Sequence, residues 1–434
     1  MLKKRFKNEG KPFSILRLYT FSCLFFFVLT VFSVYDYRVY DTWSLYLFYI
    51  YEVILWLGIK VGGDSFRIRR ALQSNAMEST ERFSFIINKQ GQIIISFICF
   101  GALLSFVYFL ILYRGVFSVA SLGTSLKAEF DYVARTKLEV ITQFVLYAGS
   151  SVYLLVVGSK NTVSQFTLRL ARLCLFLPGI RGALLGRRFI LAVETLIFIF
   201  AEYKSINNQI RSMDPKNKKA MKRIIIISTV VVLVLLFIFS RRIVYLPEAM
   251  FVAYPGDMEL SPFWKGIYSQ IGDQMNILAY VSFYVSQAPY GFSYSYEYLF
   301  EDFPYYWGLR TFRVFIQILT NLFGLSPSYA EMVRQVPGIA RYSGYAGAVV
   351  SDFGKYLAPF VSFLLGFIFS RIEHSRNTNS ICHNLYPIVQ VACIFAPVYF
   401  FSVGDLDQLA IWVVVFTPFC IMRCNKRNEE GVNN

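Results

Sequence analysis

The chain is poor in charged residues and almost without histidine. Of its 434 residues only 16% are charged, whereas 56% are hydrophobic and 18% aromatic. Soluble domains carry about 25% charged residues, so this composition excludes an ordinary soluble domain and indicates a polytopic membrane protein. In a soluble protein the net charge of +16 would suggest a nucleic-acid partner. Here the basic residues concentrate in loops between apolar segments, and we expect no nucleic acid.

Further absences narrow the chemistry. The only histidines, His374 and His383, fall in segments that the charge pattern assigns to the cytoplasm, which excludes a histidine base or a histidine-held metal on the outer face. None of the 7 cysteines lies between residues 241 and 345, so no disulfide framework is predicted there. The lack of a phosphate-binding P-loop excludes an ATP-driven pump. The lack of an internal repeat argues against an inverted-repeat transporter.

Long apolar segments fill most of the chain. A membrane-spanning helix needs about 20 mostly apolar residues, and about ten segments qualify. The fifth is the weakest, because Arg169 and Arg172 lie inside it. The segments are Ser14–Tyr35, Thr42–Val61, Gln92–Tyr113, Leu138–Val157, Thr162–Ile180, Leu184–Tyr203, Arg223–Val244, Tyr345–Ser370, Leu385–Phe401 and Leu406–Met422. We predict an all-α polytopic membrane protein with about ten transmembrane helices, in a range of about 10–12.

Basic residues in the loops predict the orientation of these spans, because Lys and Arg concentrate on the cytoplasmic side of membrane proteins. With the basic N-terminus inside, the loops after the second and sixth spans, the segment after the eighth and the C-terminal tail all fall inside, and each is basic. Both termini are therefore predicted to be cytoplasmic. The chain divides into an N-terminal bundle (1–244), a large extracytoplasmic loop (245–344) and C-terminal helices with a short tail (345–434).

The extracytoplasmic loop is the one long excursion into water that the sequence predicts. Its stretches Asn276–Val285 and Phe312–Phe323 indicate amphipathic helices on the membrane surface, although either could instead be a span. A dense aromatic band between Tyr290 and Trp307 contains the carboxylates Glu301 and Asp302. One interpretation is an aromatic belt at the level of the headgroups. The other is a carbohydrate site, where rings stack on sugars and carboxylates accept hydrogen bonds from hydroxyls.

Two further groups at the flanks of the loop suggest chemistry. Arg187 and Arg188 begin the sixth span, and paired guanidinium groups suit a diphosphate at the membrane surface. Snorkelling to the headgroups is the simpler alternative, which suits one arginine better than two. Before the eighth span, Gly344, Gly347 and Ala348 permit close backbone approach. Asp352 follows, and an intramembrane carboxylate is a functional hypothesis, with an ion pair to Lys355 or Arg341 as the structural alternative.

Three segments in this order resemble the bacterial oligosaccharide repeat-unit polymerases called Wzy, which extend O-antigen and capsule chains. They are the glycine–arginine start of a span in Leu185–Phe200, the tyrosine-rich stretch Tyr284–Tyr294, and the Asp-Phe-Gly entry into a span in Gly344–Phe367. The resemblance covers roughly the second half of the chain. It implies a glycosyltransferase at the outer face of the cytoplasmic membrane, with neither a metal nor a cofactor.

The resemblance also implies a donor, an acceptor and roles for the site residues. The donor is a growing chain on undecaprenyl diphosphate, and the acceptor is one lipid-linked repeat unit. Cations stabilise the departing diphosphate, and a carboxylate accepts the proton of the attacking hydroxyl. The predicted catalytic residues are Arg188, Arg187 and Asp352. The predicted substrate-binding residues are Arg310, Arg313, Arg341, Tyr284, Tyr290, Tyr294, Glu301 and Asp302. The implied partners are membrane lipids, with a chain-length regulator and a flippase as candidate protein partners.

Two alternative functions stay open. An O-antigen ligase handles the same donor, but we would expect a histidine in its outer loop. A flippase or transporter of lipid-linked sugars would carry ionisable residues at mid-membrane in several spans. The buried charge predicted from the sequence is concentrated at Arg169, Arg172 and Glu194, and most of the candidate functional residues lie on one face, which favours chemistry on one face over transport.

Overall fold

The computed structural model describes residues 14–39, 41–74, 82–112, 137–159, 163–184, 189–207, 258–272, 276–298, 343–399 and 406–426, with scattered helical positions between 222 and 233. In these ranges the chain is mostly helical and holds two short two-stranded sheets. The helices are α1 (Ile15–Val31), α2 (Thr42–Ser74), α3 (Lys89–Leu112), α4 (Lys137–Gly158), α5 (Gln165–Leu184), α6 (Phe189–Asn207), α7 (Pro262–Ile271), α8 (Asn276–Ser286), α9 (Ala288–Tyr298), α10 (Gly344–Ser375), α11 (Ser380–Phe395) and α12 (Leu406–Cys420). The strands are β1 (Tyr35–Tyr37), β2 (Arg82–Ile87), β3 (Met258–Leu260) and β4 (Ile421–Lys426).

Several of these helices could cross a membrane, which indicates a membrane protein. Four are long and apolar enough: Thr42–Ile68 within α2, all of α3, Ile141–Gly158 within α4, and α10. The shorter helices α1, α11 and α12 are also apolar. Each predicted span overlaps one of the described helices, apart from the seventh, Arg223–Val244, most of which lies outside the described residues. Helix α8 has 11 residues and is about 16 Å long, too short for a span.

The two sheets mark opposite ends of the helical bundle. Strand β1 pairs with β3 and β2 pairs with β4, both antiparallel. Between β1 and β2 runs α2, whose 33 residues extend about 50 Å. We call the two ends the β1 end and the β2 end. The sequence predicted no strands, and these pairings add two small sheets to the all-α architecture.

Helices α2 and α10 form the closest contact in the bundle, and they meet through small residues. Gly58 and Gly62 on α2 face Gly366 and Ser370 on α10. A Cβ atom on Gly58 would overlap the carbonyl oxygen of Phe363, and one on Gly366 would overlap backbone atoms of α2. Small residues four apart let membrane helices approach until their backbones touch. Helix α2 belongs to the predicted N-terminal bundle and α10 to the predicted C-terminal helices. The two predicted parts therefore pack together in one bundle.

Polar side chains complete the backbone hydrogen bonds where helices begin or break. Glu373 of α10 accepts a hydrogen bond from the Ile15 N–H at 3.2 Å and so caps the free first turn of α1. Near Pro178 in α5, the Leu175 carbonyl accepts from the Ser150 hydroxyl at 3.1 Å. The Gly179 N–H there donates to the Glu194 carboxylate at 2.9 Å. Buried Glu194 therefore has a structural role beside the proline.

Candidate functional site

Helix α9 packs into the bundle at the β1 end, so this part of the predicted extracytoplasmic loop is buried against other helices. Phe292 has no exposed surface, and its ring contacts Phe48 and Tyr51 of α2 with centroids 5.7 and 6.0 Å apart. Ser293 and Ser295 are also fully buried. Serines alternate with aromatic residues along α9, so small side chains allow close approach while rings fill the remaining space. Hydrophobic packing therefore outweighs the polar character of this segment.

Two of the predicted sugar-binding tyrosines, Tyr284 and Tyr290, belong to one aromatic cluster. Tyr290 stacks on Tyr37 of β1, with centroids 4.4 Å apart and planes inclined by 20°. Both Tyr284 and Tyr290 pack against buried Tyr35 and its neighbours. Burial raises the pKa of Tyr290, and the negative charge of Asp36 raises it further. The phenol stays neutral and able to donate a hydrogen bond, but one face of its ring already lies against Tyr37.

Hydroxyl groups join α9 to the segment between β1 and α2. The hydroxyl oxygens of Ser44 and Ser293 lie 2.8 Å apart, and Ser293 donates to the Asp41 carbonyl at 3.1 Å. The Asp41 carboxylate also accepts from the N–H groups of Trp43 and Ser44, at 3.1 and 2.8 Å. Aspartate is a preferred cap at a helix start because it satisfies these free donors. The cap and the serine pair together hold α9 against the start of α2.

Asp352 lies in α10, two residues before a break in the helix, and is fully buried. Gly354 has φ 75° and ψ 168°, a combination that is essentially restricted to glycine. Because the helix breaks at Gly354, Asp352 and Lys355 do not have the regular one-turn spacing of an α-helix. A buried carboxylate in a membrane bundle is expensive, so Asp352 is the strongest candidate among the described residues for a functional group.

Lys355 follows the break and contacts two tyrosines. Its Nζ atom lies 4.2 Å from the centroid of the Tyr296 ring, a distance typical of a cation–π contact. Its carbonyl accepts a hydrogen bond from the Tyr51 hydroxyl at 3.1 Å. Pro359, four residues further along, has no N–H to donate, so the phenol takes the place of the missing helical donor. The break thus has a carboxylate on one side, at Asp352, and an ammonium group on the other.

The close backbone approach predicted at the start of α10 is confirmed. A Cβ atom on Gly344 would lie 3.1 Å from the Phe48 ring and 3.1 Å from the Pro397 carbonyl oxygen. Gly344 also has φ 64°, where a side chain is strained. A Cβ atom on Gly347 would overlap the Ser343 hydroxyl. Glycine at position 344 lets α10 begin directly against α2 and the chain just after α11.

The start of α6 reaches this same end of α11. Phe189, the first residue of α6, packs against Phe395 and Tyr399, with ring centroids 4.6 and 4.5 Å apart. The Tyr345 N–H donates to the Ala396 carbonyl at 3.0 Å. The first residues of α6 and of α10 therefore both contact the end of α11, at the β1 end of the bundle.

Four of the predicted site residues are described. Tyr284 and Tyr290 come together in the aromatic cluster, Tyr294 is half-buried on α9, and Asp352 lies on α10, which α9 contacts. The other predicted site residues lie outside the described residues. They are Arg187, Arg188, Arg310, Arg313, Arg341, Glu301 and Asp302.

Gln287 joins α8 to α9 and was not predicted as a site residue from the sequence. Its side chain is 1% exposed, and within the described residues neither its amide nitrogen nor its amide oxygen has a hydrogen-bond partner. A buried amide without partners costs free energy unless water or a ligand satisfies it. In the sequence, Gln287 stands out only as a single glutamine between two apolar stretches. Gln287 therefore joins Asp352 as a candidate for substrate contact.

Glu52 was also not predicted as a site residue, and it is 5% exposed on α2. The Tyr19 hydroxyl of α1 donates a short hydrogen bond to its Oε2 atom, and Cys23 Sγ lies 3.9 Å from the same oxygen. Its Oε1 atom has no hydrogen-bond partner among the described residues. The signal was visible, because Glu52 is the one acidic residue between Thr42 and Gly63.

The distribution of buried charge also differs from the prediction. Arg169 is exposed, so its placement among the buried charges was wrong. Arg172 forms an ion pair with Glu202 of α6 at 2.6 Å, and the Tyr153 hydroxyl donates to the same carboxylate at 3.1 Å. These contacts join α4, α5 and α6, so the buried charges of Arg172 and Glu202 have a structural role.

The β1 end thus combines a buried carboxylate, an ammonium group next to a helix break, neutral phenols and a buried amide. Such groups can accept a proton from a hydroxyl and donate hydrogen bonds to sugar oxygens. Comparison of the chain with protein-family models, with curated proteins and with solved structures gives no match.

Proposed function

We propose that the chain is a membrane glycosyltransferase of a bacterial cytoplasmic membrane. It polymerises lipid-linked oligosaccharide repeat units into O-antigen or capsular polysaccharide. The protein crosses the membrane about ten times, both termini are cytoplasmic, and the β1 end faces outward. The partners are the undecaprenyl-diphosphate-linked oligosaccharide and membrane lipids, with a chain-length regulator and a flippase as candidates.

One observation carries this proposal: the starts of α6 and α10 meet at the end of α11. The predicted diphosphate-binding residues Arg187 and Arg188 directly precede Phe189 in the chain. Asp352 lies within α10, eight residues after its start at Gly344. A reaction that releases a diphosphate needs cations at the leaving group and a proton acceptor at the attacking hydroxyl. The meeting of these helices supports a site in which the two come together.

The reaction transfers the growing chain in one displacement. The acceptor hydroxyl oxygen forms a bond to the anomeric carbon of the donor, and the bond from that carbon to the diphosphate oxygen breaks. Asp352 accepts the hydroxyl proton. Undecaprenyl diphosphate leaves with the bonding electron pair, and Arg188 and Arg187 stabilise the new charge. The activated leaving group is already on the lipid, so the step needs no nucleotide or metal.

The outward orientation draws support from the two sheets. The positive-inside rule assigns the segments of β1 and β3 to the outer side and those of β2 and β4 to the inner side. Each sheet pairs two segments that this rule places on one side. If the predicted number of spans between two paired strands were wrong by one, the two strands would lie on opposite faces of the membrane and could not pair.

The test is complementation of a strain that lacks the gene, followed by a gel of its surface polysaccharide. Wild-type protein should restore long chains, and the deletion should leave single repeats. Arg188→Ala should abolish polymer. Asp352→Asn should lower the polymerisation rate of the purified protein about 10²- to 10⁴-fold, the range of a general base. Arg169→Ala is the matched control, because that arginine is exposed.

Other patterns on the gel identify other functions. Long chains in the Arg188→Ala strain, at normal protein level, would contradict the diphosphate clamp. Polymer that stays on the lipid carrier in the deletion strain would instead identify a ligase. Loss of all external repeat units, single ones included, would identify a flippase.

A transporter of lipid-linked sugars is the second candidate, and Glu52 is the observation that favours it. A carboxylate inside an apolar helix, with one oxygen lacking a hydrogen bond among the described residues, is typical of a proton or substrate path. For a transporter, Glu52→Gln should stop the appearance of external repeat units. For a polymerase, this substitution should leave chain length unchanged.

A further inference from the structure

Helix α7 separates its large apolar side chains from its polar ones. Viewed along the helix axis, the large apolar side chains fill one arc of about 140°. They are Phe263, Trp264, Ile267, Tyr268 and Ile271. The opposite side of the helix carries Lys265, Ser269 and Gln270. None of the 10 residues of α7 is buried, so this apolar face is only partly covered by protein.

The two edges of the apolar face have different surroundings. At one edge Trp264 packs against the aromatic cluster of β1, and Tyr268 is half-buried. At the other edge Phe263 is 70% exposed and Ile271 is 49% exposed. Large apolar side chains that lie together on a surface are unfavourable in water and mark a contact with an apolar partner.

Helix α7 begins close to the end of α1. The Ser261 N–H, directly before α7, donates to the Val34 carbonyl at 3.0 Å, and α1 ends at Val31. Val31 and Phe32 are largely exposed at the end of this apolar helix, which suits a position beside lipid. The exposed edge of α7 therefore lies near a lipid-facing surface, at the level where the chain leaves the apolar part of the bundle.

Length and charge narrow the kind of partner further. With 10 residues, α7 is about 15 Å long, too short to cross a bilayer. Its one charged residue, Lys265, forms an ion pair with Glu259 of β3 at 3.0 Å, so the pair has no net charge to attract anionic headgroups. A short amphipathic helix with tryptophan and tyrosine on its apolar face suits the boundary between headgroups and acyl chains.

We propose that α7 is a membrane-interface helix, and that the bilayer at the β1 end covers its exposed apolar edge. Phe263 and Ile271 enter the acyl-chain boundary, Lys265 and Ser269 face water, and Trp264 joins the helix to the β1 cluster. The β1–β3 sheet is thereby held at the depth of the headgroups. This helix is distinct from the two stretches for which the sequence predicted surface helices. The inference is independent of the proposed glycosyl transfer, because no residue of α7 takes part in that reaction.

Photocross-linking of the full-length protein in phosphatidylcholine nanodiscs identifies the partner of this face. Benzoylphenylalanine, which inserts into C–H bonds on irradiation, replaces one residue at a time: Phe263, Ile271, Ser269 or Phe97. Phe97 is the positive control, because it is exposed within the apolar helix α3, and Ser269 is the matched control on the polar side of α7. We expect a mass increase of one lipid molecule at positions 263 and 271, with a yield comparable to that at 97, and none at 269.

A charge on the exposed edge should remove this contact. With the probe at position 263, Ile271→Asp should lower the yield of the lipid adduct severalfold, because a carboxylate resists insertion among acyl chains. Ser269→Asp should leave the yield unchanged. Replacing phosphatidylcholine by phosphatidylglycerol should also leave it unchanged, since Lys265 is already paired with Glu259.

Other cross-linking patterns would overturn the proposal. A cross-link from position 263 to a second copy, seen as a dimer on a denaturing gel, would identify a protein interface instead. A cross-link to another segment of the same chain would show that protein covers this edge, and equal lipid adducts at 263 and 269 would show no preferred face. A yield that rises with phosphatidylglycerol would mean attraction to charge in place of apolar insertion. If Ile271→Asp fails to fold, the comparison of positions 263, 271 and 269 still decides.

Discussion

At the scale of single residues, Tyr35 shows how burial outside the membrane helices affects titration. Its side chain is 5% exposed in β1, and its ring lies 6.3 Å from that of Phe283 and 6.0 Å from that of Tyr37. Burial, and next the phenol of Tyr268, raise its pKa from 10.0 to about 12. Burial also raises the pKa of Tyr37. The aromatic cluster around Tyr35 and Tyr37 therefore contains phenols that must stay neutral.

This cluster should open in strong alkali. The folded-state pKa of Tyr35 is raised, so its contribution is complete below pH 10.0 and is lost as the pH rises through about 12. By linkage, the free energy of unfolding should fall on the order of 2 kcal/mol over this window. Absorbance of tyrosinate near 295 nm, followed against pH, measures the transition. Tyr35→Phe should lower the amplitude of the transition near pH 12, and Tyr46→Phe, at a 61% exposed position, is the control substitution.

An amplitude near pH 12 that Tyr35→Phe leaves unchanged would show that Tyr35 is open to solvent.

At the scale of elements, the α2–α10 contact decides the shape of the bundle. Lipid tails are as apolar as leucine, so helices in a membrane gain little by hiding large apolar side chains from them. Close contact and dispersion remain, and these need small residues. Gly58-Ile-Lys-Val-Gly62 on α2 has the spacing that provides such a surface, and Ser362, Gly366 and Ser370 repeat it on α10.

Adding one methyl group at this contact should separate the helices. Gly366→Ala and Gly58→Ala should each lower the free energy of unfolding by about 1–3 kcal/mol, because the new Cβ atom meets backbone that cannot move alone. Unfolding in increasing dodecyl sulfate, followed by circular dichroism, gives the value. Gly266→Ala in α7 is the control: nothing lies within 4 Å of its Cβ position. Alanine favours a helix there, by up to about 1 kcal/mol. Equal effects at the three positions would mean that α2 and α10 are not in backbone contact.

At the scale of the whole molecule, two strand pairings connect distant parts of the chain at opposite ends of the bundle. Asp36 pairs with Glu259 in the β1–β3 sheet, and Ser84 pairs with Cys424 in the β2–β4 sheet. Paired residues of antiparallel strands have Cα atoms about 4.5–5.5 Å apart, within reach of a disulfide. A cysteine pair placed in each sheet should therefore form a disulfide only if that end of the bundle faces an oxidising compartment.

Engineered disulfides should form at one end only in intact cells. Asp36→Cys with Glu259→Cys should cross-link during growth, because the outer compartment is oxidising. Ser84→Cys with native Cys424 should stay reduced until the cells are broken and an oxidant is added. Mobility on a non-reducing gel after proteolysis between the cysteines detects each bond.

Asp36→Cys with Ser84→Cys, in a chain that also carries Cys424→Ser, joins one residue from each end and is the control that should never cross-link. Spontaneous oxidation of the Ser84–Cys424 pair alone would reverse the proposed orientation. Failure of both pairs under added oxidant would contradict the sheets.

The membrane character, the helix positions and the glycine approach at the start of α10 were all predictable from the sequence. They depend on local composition: an apolar run of sufficient length must become a helix in a membrane, because every backbone N–H and C=O needs a partner there. Glu52 and the Gly58–Gly62 pair are also visible in the local sequence. By contrast, the roles of Arg187 and Arg188 stay predictions, because those residues lie outside the described residues.

Only the tertiary structure decided how distant segments combine. The aromatic stretch of α9 looked suited to water, yet it packs on α2, because Phe292 gains more from contact with Phe48 and Tyr51 than from exposure. Glu139 and Arg181 are far apart in the chain and line one cleft. No local pattern encodes such meetings, since they depend on which helix faces touch once all of them are packed. The sequence by itself determined which segments are helices and that several are apolar enough for a membrane; packing alone determined which side chains face each other.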